Sequence, residues 1–414
     1  MQTKEERGVL TVALPERVDG SNSDEFEKEL RESIGASEFR SLAMDAGGME
    51  YISSAGLRVL LAIKKEIGKP FDIINVSEEV YEIFDVTGFT ELFTVHRKPR
   101  EISIEGCPVI GRGTFGTVYK LDDERVVKVY NTARKVSLER IEQEKRLARD
   151  VFVKGIPTAM SFNIVYTGEH YGLVFEMLNA SSLLDYMMEH RDEADEMTDK
   201  VCQILKKLHS SELPEGSVPS MKQILLSMTP VVKNHFTEDE MNRFRTLITD
   251  TPDRMTMIHG DFHPGNIMVD KNRELMLIDV GDISTGHPFF EFFDMYPSFL
   301  LNEEVEYGHD AVMDQIRLFL HIGPDKDVNE GIVFMKQYWN RMMHAYFDGF
   351  SEDEIEKFSL YFRAMGRFKQ FITVMRLPDT DPEAKEREIQ KNKKLFFDEL
   401  DKIPPVAEWW PEKL

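Results

Sequence analysis

The sequence predicts a small α/β domain followed by a larger α+β unit whose C-terminal part is mostly helical. Three observations carry this. Short strand and helix patterns alternate through roughly the first hundred residues. A basic, proline-containing segment, residues 96–106, then interrupts the patterning and marks a domain boundary. Beyond it a glycine-rich strand–turn–strand leads into further strands, one helix, and a long stretch of helical periodicity. At 414 residues the chain is also too long for one ordinary hydrophobic core.

Composition narrows the class. With 42% hydrophobic and 30% charged residues the chain reads as globular, and no apolar run is long enough to cross a bilayer. The start, Met1 to Arg7, is polar and lacks the apolar centre of a signal peptide. Cys107 and Cys202 have no metal-ligand spacing, so a reduced, cytoplasmic protein is expected. A net charge of −23 argues against a nucleic-acid surface. No membrane partner is expected either.

In the first domain, Val9 to Leu14 reads as a strand. Ser21, Asn22 and Ser23 offer helix caps, with Glu25 three residues after Asn22. Phe26, Leu30 and Ile34 then form one helix face. Ser41 to Asp45 is a second strand. Leu57, Leu60, Leu61, Ile63 and Ile67 are the apolar positions of a helix stopped by Gly68 and Pro70. Phe71 to Val76 is a further strand, and Ser77 caps a helix from Glu78 to about Val86. Within this frame, Asp45 to Leu61 with its Ser53-Ser54-Ala55-Gly56-Leu57 core resembles the STAS domain of anti-sigma-factor antagonists. The resemblance spans roughly residues 5–95 and implies a regulatory domain, residues 1–98, that meets a signalling protein. It also implies a phosphoserine at the start of the second helix. Matching on Gly56 and Leu57 places that serine at Ser54, while Ser53 stands where the family has aspartate. The alternative is that Ser53 or Ser54 caps the helix and does nothing more.

The larger unit opens with Gly111-Arg112-Gly113-Thr114-Phe115-Gly116-Thr117-Val118, spaced G-x-G-x-x-G-x-V. Glycines let backbone approach phosphate oxygens with no Cβ in the way. A dinucleotide fingerprint would need a helix next, but Thr117 to Leu121 continues as a strand. In the following strand, Arg125 to Tyr130, Val126 and Lys128 share a face, suiting adenine and phosphates respectively. A helix from about Ser137 to Val151 places Glu144 on the same stripe as Ile141, Ala148 and Val151. A buried acid needs a partner, and Lys128 is the natural one; Glu142 and Glu139 are alternatives to Glu144. Tyr171 to Leu178 reads as a buried strand.

The most specific segment is His259-Gly260-Asp261-Phe262-His263-Pro264-Gly265-Asn266, followed by Asp279. Two short apolar strands, Ile267 to Val269 and Leu275 to Ile278, form a hairpin that returns Asp279 beside Asn266. One carboxylate can take the proton of an incoming hydroxyl, while an amide oxygen and a second carboxylate can hold Mg. Residues 105 to at least 300 resemble the aminoglycoside phosphotransferase and choline kinase-like family. That resemblance implies a bilobal protein-kinase-like fold, with an N-lobe at 107–178 and a helical C-lobe at 179–414. It implies ATP and Mg as cofactors and a small-molecule hydroxyl as acceptor. By match Asp261 is the catalytic base, Asn266 and Asp279 are metal ligands, and Lys128 is the phosphate lysine. Gly111, Gly113, Gly116, Val118, Val126, Glu144 and Met268 complete the nucleotide site, with backbone groups of Glu176 and Leu178 on the adenine edge. His259 is implied to be a loop scaffold, and His263 reads as a turn residue. Three features depart from the family: a fuller glycine loop, Val280 in place of an aromatic, and Glu291 in place of aspartate.

From Glu291 to about Phe397 the pattern is helical; its aromatics and methionines read as core, and Ser351 to Glu356 as a helix start. Two other functions compete. One is a protein kinase acting on a signalling partner, opposed by Gly260 in place of arginine and by the lack of an A-P-E segment. The other is a non-catalytic signalling scaffold, opposed by a full set of competent residues.

Overall fold

The computed structural model describes residues 1–6, 8–35, 37–113, 115–131, 136–295, 328–377 and 380–404. They form two compact units, Met1–Ser103 and Ile104–Leu414. Among the described residues no helix is long and apolar enough to cross a membrane.

In the first unit, strands β1 (Thr3–Glu6), β2 (Val9–Ala13), β3 (Ser41–Asp45), β4 (Phe71–Val76) and β5 (Thr94–Arg97) lie side by side in chain order. β1 is antiparallel to β2, and the remaining pairs are parallel. Parallel strands need crossover helices. These are α1 (Ser23–Gly35), α2 (Ser54–Ile67) and α3 (Glu78–Val86). Phe26 and Leu30 of α1, Leu57, Leu60 and Ile63 of α2, and Val80 and Phe84 of α3 join Leu10, Leu42, Met44 and Ile73 in one core. The serine question at α2 has a geometric answer. Ser53 is the N-cap, its Oγ accepting the Ala55 N–H at 3.2 Å, while Ser54 is the first helical residue and is exposed.

The second unit begins with an antiparallel sheet. Its strands are β6 (Val109–Arg112), β7 (Gly116–Lys120), β8 (Arg125–Tyr130), β9 (Ser161–Tyr166) and β10 (Tyr171–Glu176), neighbouring one another in the order β9-β10-β8-β7-β6. Helix α4 (Leu138–Val153), capped by Ser137, turns Ile141, Glu144, Leu147, Ala148 and Val151 inward. After β11 (Ala180–Ser182) the chain is mainly helical, with α5 (Leu183–Glu189) and α6 (Ala194–His209) first. Short strands β12 (Met257–Ile258), β13 (Ile267–Asp270), β14 (Leu275–Leu277) and β15 (Ser284–Thr285) carry the loops of interest. β13 pairs with both β11 and β14. Among the described residues four more helices follow: α7 (Phe289–Met295), α8 (Val328–Tyr346), α9 (Glu352–Arg376) and α10 (Pro382–Leu400). The part of the expected helical stretch at 296–327 and 378–379 lies outside the described residues. Phe289, Phe292, Phe347, Phe358 and Phe362 build an aromatic core, with the Phe292 and Phe362 rings 4.7 Å apart. The acidic cluster after Ser351 is a capping box, with Ser351 and Glu354 each bonding the other's backbone N–H.

Ser53→Ala is expected to destabilise α2 by about 1 kcal/mol, and Ser54→Ala by under about 0.5 kcal/mol, by hydrogen exchange across residues 54–67. Equal losses for both would show that Ser53 is not the cap.

Candidate active site

Strand register sets the first half of the site. Val118 pairs with Lys128 on one side and Gly111 on the other. A Cβ at Gly116 would lie 2.3 Å from the Val129 carbonyl oxygen, so close strand approach demands glycine there. At Gly111 and Gly113 the nearest atoms would be 3.7 and 3.9 Å away, ordinary contact distances, so packing within the protein does not demand glycine there. Val126 is buried and Val118 half-buried.

Lys128 is largely withdrawn from solvent, its side chain 13% exposed. Its Nζ donates to Glu144 Oε1 at 2.9 Å and to Asp279 Oδ1. Burial alone would lower the lysine pKa, but the Asp279 and Glu144 carboxylates outweigh it and hold the group well above its ordinary value. Lys128 therefore stays a cation. Glu144, 4% exposed, is the acid brought to it; Glu139 is exposed and Glu142 half-buried. One turn earlier on α4, Arg140 ion-pairs with Asp282. Burial pushes the Asp282 carboxyl above its usual range, Arg140 opposes this, and Asp279 and Asp261 reinforce it.

β12 delivers the segment His259-Gly260-Asp261. Gly260 has φ +82°, and a Cβ there would sit 2.5 Å from the Asp282 carbonyl oxygen. His259 Nδ1 accepts the Asp261 N–H at 3.4 Å, and His263 Nδ1 accepts the Gly265 N–H at 3.1 Å, which caps a short turn at Pro264–Asn266. Asn266 Nδ2 donates to the Asp261 carbonyl at 2.9 Å and to Asp261 Oδ2 at 3.1 Å. The Ile278 N–H donates to the Asn266 carbonyl at 2.9 Å, and this bond carries Asp279 back to the loop. Asp279 itself is left-handed, φ 59° and ψ 46°, a strained setting of the kind that clusters at functional sites. Burial would raise the Asp261 pKa. His263, with Nε2 at 3.7 Å from Oδ2, then Lys369 and His259, pull it well below the carboxylate range instead. Asp261 thus stays ionised.

The proposed adenine edge is more constrained than the sequence suggested. The Glu176 N–H donates to the Met160 carbonyl at 3.0 Å and its Oε1 accepts the Met160 N–H at 2.7 Å. Leu178 is half-buried two residues past β10. Met268 is half-buried between the buried Ile267 and Val269, on the opposite face of β13.

One contributor escaped the sequence reading except as a departure. Glu291 is fully buried on α7, its Oε2 accepting the His259 N–H at 2.6 Å and its Oε1 the Gly260 N–H at 3.1 Å. It therefore braces the loop from behind. An acid inside the apolar run Phe289 to Phe293 was the available signal, since such a charge needs donors.

This arrangement joins a fixed cation, an ionised carboxylate and an amide–carboxylate pair. Residues 107–319 match the phosphotransferase enzyme family, and residues 1–102 match the STAS domain. The chain belongs to the phosphotransferase enzyme family. Its STAS domain is 33% identical over 91 residues to BtrV of Bordetella bronchiseptica, described as an anti-sigma factor antagonist, covering 21% of this chain and 78% of BtrV. Among solved structures, an aminoglycoside phosphotransferase, APH(2'')-Ib with ADP bound, is similar at 14% identity over 77% of this chain and 98% of its own, TM-score 0.46. The choline kinase LicA from Streptococcus pneumoniae is similar at 13% identity over 70% and 91%, TM-score 0.41.

Two outcomes are expected of this STAS–phosphotransferase chain. Gly116→Ala should displace β7 from β8 and lower the melting temperature, whereas Gly113→Ala should leave it unchanged; equal melting curves would refute the contact argument. The second concerns His287, fully buried, whose pKa burial lowers from 6.5 to about 3. The folded state binds the proton less readily than the unfolded one. The contribution of His287 is therefore complete above pH 6.5 and lost as pH falls toward 3, by up to about 1.4 kcal/mol per pH unit. Denaturant midpoints across that range, flattened by His287→Gln, would check it; an unchanged acid slope in the variant would assign the loss elsewhere.

Proposed function

We propose that this phosphotransferase uses ATP with Mg to move the γ-phosphoryl group to a hydroxyl of a small-molecule acceptor, under the influence of its STAS domain. The observation that carries the reading is the joining of Lys128, Asp279, Asn266 and Asp261 around one loop. Lys128, held cationic by two carboxylates, would turn its ammonium to the phosphate oxygens. Gly111 and Gly113 would let the backbone approach those phosphates with no Cβ in the way. Asp261, ionised and steadied by Asn266, would orient the acceptor hydroxyl and take its proton.

The residues fit a magnesium ion. Asn266 turns its amide nitrogen to Asp261, which leaves its side-chain oxygen for a cation. Asp279 presents a carboxylate 41% exposed, with one oxygen on Lys128. Among the described residues no group of three or more His, Cys, Asp or Glu forms a metal cage. Two hard oxygen donors suit Mg, which keeps water and phosphate oxygens for its other positions. When bound, Mg would supply charge neutralisation for the transferring group.

On the STAS domain, Ser54 is exposed at the start of α2 and free of capping duty. Phosphorylation there would add about −1.5 to −2 charge beside free helix N–H groups. A signalling protein that docks there would register the change. The BtrV likeness supports a protein partner for this domain.

The decisive measurement is calorimetric titration of ATP with and without Mg, followed by transfer assays over aminoglycosides, choline-like amines and sugars. Asp261→Asn should lower transfer by roughly 10²–10⁴-fold with ATP affinity unchanged. No ATP binding at millimolar nucleotide, or an Asp261→Asn variant with wild-type turnover, would sink the proposal.

A further inference from the structure

Glu291 does not hold the loop unaided. Its Oε2 also lies 3.3 Å from His209 Nε2, and His209 is the last residue of α6, 6% exposed. On the other side of that ring, Nδ1 lies 2.7 Å from the hydroxyl of Tyr346, the last residue of α8, 4% exposed. Burial, with Glu291 nearby, pushes the Tyr346 phenol far above its ordinary pKa, so the hydroxyl keeps its proton. A carboxylate only accepts, so Nε2 carries the ring hydrogen aimed at Glu291, and in the neutral ring Nδ1 then accepts from the Tyr346 hydroxyl. The ends of α6 and α8 thus meet on a carboxylate of α7, and that carboxylate holds two backbone N–H groups of the loop carrying Asp261. A carboxylate buried among phenylalanines is costly unless every lone pair finds a donor. Each donor is therefore also a restraint on where the carboxylate sits.

We propose that His209 and Tyr346 are positioning residues for phosphoryl transfer. Tyr346 fixes the orientation and tautomer of His209. His209 fixes Glu291, and Glu291 fixes the His259 and Gly260 backbone that presents Asp261. The effect on rate rests on the function proposed above; the effect on the loop does not.

The test uses the full chain and three variants. Tyr346→Phe keeps the ring packing and removes the hydroxyl. His209→Gln keeps a donor near the Nε2 position, and His209→Asn keeps one near Nδ1 only. Amide hydrogen exchange at His259 and Gly260 should rise about tenfold or more in Tyr346→Phe and His209→Asn, with β8 and α4 unchanged. Their kcat should fall by roughly 10- to 100-fold with KM for ATP within about 2-fold, as expected when a base is misplaced rather than removed. His209→Gln should recover much of both. The nitrogen chemical shifts of the His209 ring should move in Tyr346→Phe, which simple loss of packing would not cause. The proposal is overturned if exchange at the two loop amides stays at wild-type levels, if it rises only in step with the whole unit, or if the Asn and Gln variants behave alike. A wild-type chain without nucleotide turnover would refute the proposed function, while loop exchange decides the positioning role independently.

Discussion

The second unit is organised around one buried ammonium. Lys128 sits in a strand with Val127 and Val129, where a lone charge would be intolerable. Its two partners come from distant places in the chain: Glu144 from a helix, Asp279 from a loop 151 residues away. Satisfying one charge therefore fixes strand, helix and loop relative to each other. The constraint reaches their neighbours too. A Cβ at Gly281 would lie 2.8 Å from Glu144 Oε2, so the residue two places after Asp279 has to be small. Breaking such a buried pair by deleting one partner is far more damaging than its net contribution suggests, because the other charge is left behind.

The division of labour between scaffold and chemistry follows burial. Glu291, His209, Phe289, Phe290 and Phe292 are almost wholly enclosed, whereas Asp261 and Asp279 remain 37% and 41% exposed. Enclosed groups supply rigidity through satisfied hydrogen bonds and packing. The half-open carboxylates stay within reach of solvent and of any bound molecule. Asp279 adds a local tension, since a left-handed aspartate is retained only where its surroundings over-determine it.

Much of this could be read from the residues alone, for physical reasons. Phe71–Val76, Glu78–Val86 and Arg125–Tyr130 form with the expected limits because period and caps agree there. Glu144 could be singled out because an acid on an apolar stripe demands a cation. Strand β1, Thr3–Glu6, was not legible: it is a charged edge strand whose pairing with β2 leaves no apolar alternation. The His209–Glu291–Tyr346 chain was equally invisible. Its members lie 82 and 137 residues from His209, and each has a blander reading as core or helix end. Local pattern reports what a segment buries, not which distant group will meet it.

Gly260 carries a consequence for how such a scaffold can be wired. Protein kinases place an arginine at this position to sense a phosphate on their own activation segment. Here the residue has a positive φ and faces the Asp282 carbonyl at a distance no side chain can share. No single codon change could install that sensor without first moving the Asp279–Asp282 turn. Any such input would have to come from outside this loop, and residues 1–102 of the chain form a STAS domain.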